Sequence, residues 1–357
     1  MVAETRVVGQ QGGGPLPVHL FPDPSPPLPL SVLGYDLGTM PAKLSLWLDR
    51  IHQARDRIYG LVQQTPVALL EDDQLGSGRA FLKLEHLQRT GSFKLRGAAN
   101  KVLRLTPEEA ARGVVTSSTG NHGLGVATAA RHGKIDAEVF VSSQVSSTKL
   151  HLMEQCGARI RLIGDTPLEA ELAARSASTT SGRTYVSPYN DVDVIAGQGT
   201  IACELVQQIG DLDAVFVAVG GGGLIGGVGA YMKSVSPQAR IVGCWPENSR
   251  VMYECLRAGK LIEFPEQPTV SESTAGGIEP GSVTFGLCQK VVDQSVLVSE
   301  QEILDAMRWA HRRGWKIEGA AGVAIAAFFK EKLQYDGKTV AIISCGGNTS
   351  PEVLKRL

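Results

Sequence analysis

The sequence predicts an α/β protein, parallel β-sheet covered by helices and divided into two domains, and three observations carry that expectation. Beyond Leu44, short apolar runs alternate with longer segments of helical character. Helix start and stop signals fall between those runs. The chain has 357 residues, 43% of them hydrophobic and 20% charged, which is enough to bury more than one core.

In chain order, residues 1–44 stand apart. They hold Gly12-Gly13-Gly14 and a crowd of prolines from Pro15 to Pro29. With no amphipathic period and no charged-then-apolar leader pattern, a disordered extension is expected. "LTPEEAARG" then offers Thr106 as helix N-cap, Pro107 in the first turn, Glu109 closing a capping box and Gly113 as the stop. "VVTSS" reads as a buried strand, residues 121–132 as a helix and "AEVFVS" as a strand. "TKLHLMEQCGA" reads as a helix, "RIRLIG" as a strand, residues 167–180 as a helix and "TYVS" as extended chain. The same alternation returns in "DAVFVAV", "GLIGGVGAYMKSV", "RIVGCW", "EILDAMRWAHRRG" and "TVAIISC", with Ser299 and Glu302 boxing one helix start. A large domain over 45–112 and 190–357 and a small one over 113–189 are expected.

Composition excludes several classes. The net charge of -1 gives no basic surplus for nucleic acid. No apolar stretch reaches spanning length before a glycine or charge interrupts it, so no membrane segment is expected. Six scattered cysteines without CxxC spacing read as reduced thiols of a cytoplasmic protein.

Four stretches carry chemistry. "AVGGGGLIGG" sets Gly220, Gly221, Gly222 and Gly223 between an apolar strand and a helix. Backbone N–H groups can converge there on a phosphate, aided by the helix N-terminus. It lacks the Lys-Ser/Thr of a Walker loop and the spacing of a dinucleotide fingerprint. A tight strand-to-helix turn is the plainer alternative. "SSTGNHG" offers Ser117, Ser118, Thr119 and Asn121 at another strand-to-helix junction and suits a carboxylate, or else caps the helix. His122 is either a base or structural. In "ISCGGNTS", Cys345 is a core thiol or a weak donor to a ring nitrogen. "TGSFKLRGAANK" places Lys94 behind a glycine turn and an aromatic residue, where a solvated lysine needs neither. A phosphate cradle, a carboxylate loop and an aimed lysine together suggest a Schiff-base lysine on pyridoxal 5'-phosphate. Burial and the nearby Arg96 are expected to lower its pKa; a salt-bridged structural lysine is the alternative.

"SFKLRGA", "STGNHG", "VIAGQGT", "VGGGGL" and "CGGN" stand in the order seen in the pyridoxal-phosphate enzymes of fold type II, and the chain resembles their serine/threonine dehydratase and serine racemase group over about residues 47–350. "STGNHG" with "SESTAGGI" resembles the hydroxyectoine-utilisation dehydratase subgroup. The resemblance implies a two-domain, tryptophan synthase β-like fold with the cofactor in the cleft. It implies that Lys94 carries the cofactor, Phe93 packs beside the ring and Asn121 bonds the ring hydroxyl. Gly220, Gly221, Gly222, Gly223 and Leu224 hold the phosphate, and Cys345 faces the pyridine nitrogen. Ser118, Thr119, Asn121 and His122 receive the substrate carboxylate. Thr119 stands where racemases of the group place an acid/base serine, and Tyr189 where they place an asparagine. Trp245 and Val251 replace the acids of metal-activated members, so no metal site is expected. The expected activity is dehydration and deamination of a β-hydroxy amino acid such as L-threonine or L-serine by a cytoplasmic homodimer. An amino-acid racemase and a non-catalytic pyridoxal-phosphate-binding regulator are the alternatives.

Overall fold

The computed structural model describes residues 42–70, 78–143, 145 and 147–357. The expected extension over 1–44 lies outside the described residues up to position 41, and a helix already occupies its last three positions. The strands are β1 (Val67–Leu70), β2 (Arg79–Lys83), β3 (Val114–Ser117), β4 (Ala137–Val141), β5 (Arg159–Leu162), β6 (Thr184–Tyr185), β7 (Ala214–Ala218), β8 (Arg240–Pro246), β9 (Gln294–Val298) and β10 (Thr339–Ile343). The helices are α1 (Ala42–Ile58), α2 (Lys94–Leu103), α3 (Pro107–Arg112), α4 (Asn121–Gly133), α5 (Ser147–Gln155), α6 (Pro167–Ser181), α7 (Val192–Ile209), α8 (Gly223–Val235), α9 (Val251–Ala258), α10 (Val283–Val291), α11 (Glu300–His311), α12 (Gly319–Glu331) and α13 (Pro351–Leu354).

Two sheets form. One has six strands in the order β1-β2-β10-β7-β8-β9, parallel except for the antiparallel edge pair β1–β2. The other has four parallel strands in the order β5-β4-β3-β6. The central strand β7 is apolar and buried along its length, and β10 is so beyond Thr339, because helices cover both faces. Both expected capping boxes form: Thr106 accepts from Glu109 N–H and Ser299 from Glu302 N–H, while each glutamate reaches back to the cap backbone.

Packing joins α2 to the smaller core across the expected border at residue 112. Ala98, Ala99 and Val102 of α2 pack with Val114, Val126, Ala130 and Val139 in the core of the four-stranded sheet. α2 therefore leads from the six-stranded sheet into the smaller core. That geometry matters, because Lys94 opens α2 at the seam. The C-terminal ends of the parallel strands β3, β7 and β10 open towards the same cleft, the usual place for a ligand in such sheets.

Candidate active site

Two adjoining cavities of ≈ 950 Å³ and ≈ 360 Å³ share a wall that includes Lys94, Asn121, Pro188, Ser273 and Glu318. Lys94 is aimed into them by the turn before it. Gly91 has φ +70, and a Cβ there would lie 2.6 Å from Asn348 Oδ1. Phe93 N–H donates to Cys345 O at 3.0 Å and Gly347 N–H to Gly91 O at 2.9 Å, which pins the turn to the loop after β10. The Lys94 ammonium donates to Pro188 O at 2.9 Å and lies 5.2 Å from the centroid of the Phe93 ring. Burial pulls its pKa down to about 8, against the opposing pull of Cys345 and Glu318.

Arg96 does not assist as expected. Its guanidinium is fully buried and paired with Glu85 at 2.7 Å and Glu204 at 2.6 Å. Lys83 joins the same cluster through Glu204. With two carboxylates on it, Arg96 ties α2 to α7 and to the turn after β2. The lowered pKa of Lys94 comes from burial instead.

The glycine loop follows β7. Gly222 has φ +86, and α8 begins at Gly223. The first intrahelical bond runs from Gly226 N–H to Gly222 O. The N–H groups of Gly223, Leu224 and Ile225 therefore open the helix without an intrahelical acceptor. Gly220 packs so closely that a Cβ would lie 2.8 Å from Thr274 O, and a Cβ on Gly221 would enter the Tyr189 ring. The glycines thus serve close packing, and the helix mouth they form is free to face an anion.

The other loop, 118–120, enters α4. Gly120 N–H donates to Ser118 Oγ at 3.2 Å, and the first bond of α4 is Leu124 N–H to Gly120 O. The N–H groups of Asn121, His122 and Gly123 remain at the helix mouth. Ser118, Thr119 and Asn121 line the smaller cavity with Lys94. The His122 ring is turned away and buried, its Nε2 paired with Val186 O at 2.9 Å. Burial, then the Lys94 charge, pulls its pKa down to about 3. His122 is therefore a neutral, structural ring; any role towards a carboxylate falls to its backbone N–H.

Cys345 is buried just past β10, on the wall of the larger cavity. Burial raises its pKa well above the ordinary value, so it stands there as a neutral thiol. Sequence reasoning missed the carboxyl beside it. Glu318, the N-cap residue of α12, is buried and accepts from Asn121 Nδ2 at 2.8 Å and from Ser273 Oγ at 2.9 Å. Burial raises its pKa, against the pull of those two donors and of Lys149 and Lys94. Tyr189, in the sequence only a departure from the racemase pattern, proves to be part of the cradle. Its ring covers Gly221, its backbone and Cβ lie against Gly223, and its hydroxyl accepts from Glu279 N–H at 2.9 Å.

An amine near neutrality, a helix mouth after a glycine loop, a second helix mouth and a neutral thiol define a site for an aldehyde cofactor that carries a phosphate. The comparisons agree: residues 58–346 match the family described as "Pyridoxal-phosphate dependent enzyme", and the chain belongs to that family. An L-threonine ammonia-lyase of Thermotoga maritima is 38% identical over 312 residues, 87% of this chain and 77% of that protein. The structure of the processed form of threonine deaminase isoform 2 from Solanum lycopersicum superposes with a TM-score of 0.82 at 30% identity, covering 94% of this chain and 97% of that one. Maize serine racemase superposes with a TM-score of 0.81 at 29% identity, over 87% and 95%. Among the described residues no helix is long and apolar enough to cross a membrane.

Proposed function

We propose that the protein is a pyridoxal-phosphate-dependent ammonia-lyase that converts a β-hydroxy amino acid, such as L-threonine or L-serine, to a 2-oxo acid and ammonia. The observation that carries this reading is Lys94, a buried amine with a pKa of about 8, set in one cleft between the α8 and α4 helix mouths. The kinship with threonine ammonia-lyase supports it.

In this reading Gly220, Gly221, Gly222, Gly223 and Leu224 hold the cofactor phosphate at the N-terminus of α8. Phe93 packs beside the ring, Asn121 faces the ring oxygen and Cys345 the ring nitrogen. When bound, the cofactor supplies an electron sink for the bond broken at Cα. The substrate carboxylate sits at the mouth of α4, on the backbone N–H groups of Asn121 and His122 and the hydroxyls of Ser118 and Thr119. Lys94, the amine that would carry the cofactor, would be freed when the substrate's amino group takes its place, and its Nζ would then take the α-proton. Burial of Nζ favours its free-base form, which this step needs. Nζ then holds the proton that a departing hydroxide needs. One water is lost across Cα and Cβ, and one returns when the released enamine hydrolyses, so no oxidant or reductant is required. Cys345, as a neutral thiol, would face the ring nitrogen without a negative charge.

The enzyme is further read as a cytoplasmic homodimer whose six cysteines are all free thiols. We read a large cofactor domain over 45–112 and 190–357 and a small domain over 113–189, with α2 at their seam. The test is a panel of L-β-hydroxy amino acids assayed for ammonia and 2-oxo acid. Release of both in equal amounts from L-threonine or L-serine is expected. Cofactor binding without turnover of any amino acid would leave the regulator, and a D-enantiomer as the main product the racemase.

A further inference from the structure

Asn121 is held by a hydrogen-bonded chain whose direction is fixed by a group that cannot be reversed. Asn348 Nδ2 donates to the backbone oxygen of Thr90 at 2.8 Å and to Asn121 Oδ1 at 2.7 Å. A carbonyl oxygen only accepts, so the Asn348 amide has one orientation. Asn121 must then turn its oxygen to Asn348 and its nitrogen to Glu318 Oε2, at 2.8 Å. Glu318 Oε1 takes the Ser273 hydroxyl at 2.9 Å. An amide nitrogen carries two hydrogens. Glu318 takes one, and the other is left for an acceptor in the cleft.

We propose that Glu318 and Asn348 are positioning residues that act through Asn121, locking its amide with the nitrogen turned to the ring oxygen of the cofactor. This rests on the proposed cofactor site and goes beyond it, since neither residue needs to touch the cofactor. The geometry is built around both side chains. Gly91 leaves the space that Asn348 fills. A Cβ on Gly346 would lie 2.7 Å from Glu318 Cδ, and Glu318 N–H donates to Gly346 O at 2.9 Å. The chain also spans the cleft. Asn121 belongs to the helix after β3 of the small sheet, while Asn348, Glu318 and Ser273 belong to the large one. Glu318 faces Lys94, Lys149 and Cys345. An acceptor is all that Asn121 asks of it, and both a neutral carboxyl and a carboxylate supply one.

The test uses the purified full chain, with apo protein titrated with pyridoxal phosphate and the visible band of the loaded protein recorded. Glu318→Gln keeps an acceptor for Asn121 and is expected to hold cofactor affinity within about twofold of the wild type and to leave the band position unchanged. Glu318→Ala removes the acceptor. Asn348→Asp removes the donor that sets the direction. Each is expected to weaken cofactor affinity about tenfold, the usual scale for a lost hydrogen bond to a charged group, and to shift the band. In an Asn121→Ala background the same changes should add nothing. Folded variants, checked by circular dichroism and melting, that keep wild-type affinity and band would overturn the proposal. So would effects that persist without Asn121. If Glu318→Ala does not fold, Asn348→Asp decides alone. A wild type that binds cofactor but releases no ammonia would refute the reaction and leave the positioning to be judged by the same titrations.

Discussion

At the scale of single residues, Lys94 and Glu318 are two titratable groups pushed by burial towards neutrality, and each makes a separate prediction. Lys94 has its folded pKa lowered to about 8. In cofactor-free protein, a lysine-acylating reagent should therefore modify the Lys94 peptide with a pH midpoint near 8, while surface lysines follow the ordinary range near about 10.4; a midpoint with the surface lysines would remove the poised base. Glu318 has its pKa raised by burial, in a setting that contains Lys149 and Lys94. A raised carboxyl favours the folded state below its unfolded pKa, and that contribution is lost as pH rises through the folded value. Apo Glu318→Gln should thus melt at the same temperature as the wild type in acid and above it at higher pH, a gap that differential scanning would read. Thr119 decides between elimination and racemisation. Its methyl and stiff χ1 restrict where the hydroxyl points, so keto acid should outpace D-enantiomer from an L-β-hydroxy substrate in deuterated water; comparable rates would put the hydroxyl on the second face. Much of this site was legible in the sequence. A glycine and an aromatic residue before Lys94, and four glycines after a strand, are local signals. Glu318 was not legible, because "EGAAGVA" reads as an ordinary helix start and nothing linear says that Asn121, 197 positions away, will turn its amide to it.

At the scale of elements, the stretch "VIAGQGT" proves to be a helix seam. Gly197 and Gly199 lie in α7, and a Cβ on Gly197 would stand 2.6 Å from Arg96 O in α2. A Cβ on Gly199 would stand 2.9 Å from Gly227 O in α8. α7 thus holds at backbone distance the two helices whose first residues are Lys94 and Gly223. A methyl at Gly227 would run into Ile195 O. Gly227→Ala is therefore expected to cost about 1–3 kcal/mol of stability, the scale for overpacking, and to weaken cofactor binding; a denaturation midpoint equal to that of the wild type would contradict the seam. In the sequence this motif carries only its order within a family, because its mechanical role needs the crossing of three helices. For a related reason α7 and α12 escape periodicity. Residues Gly319 through Phe328 of α12 are all buried, and a helix apolar all round has no amphipathic stripe to read.

At the scale of the whole molecule, two sheets face each other across a cleft, and side chains on both sides bridge its mouth. Arg175 of α6 pairs with Glu279 at 2.6 Å and stacks on Tyr185, while Glu279 N–H reaches Tyr189 over the glycine loop. The pair is partly exposed, so its worth to global stability is small. Arg175→Gln is expected to leave the melting temperature nearly unchanged yet raise the cofactor dissociation rate a few-fold, as read by loss of the visible band on dilution; an unchanged rate would mean that the clasp does not reach the cradle. Hard cations should not matter either. Trp245 is buried in the core of the large sheet and Val251 starts α9, and neither side chain offers an oxygen. Activity should survive dialysis against EDTA, and a loss restored by Mg²⁺ would place a metal site elsewhere. The central claim is that Lys94 is the amine that carries pyridoxal phosphate, and borohydride reduction of the loaded enzyme followed by peptide mass mapping tests it most directly. The account predicts a single phosphopyridoxyl label on Lys94, absent in Lys94→Ala; a label on another lysine, or none, would contradict it.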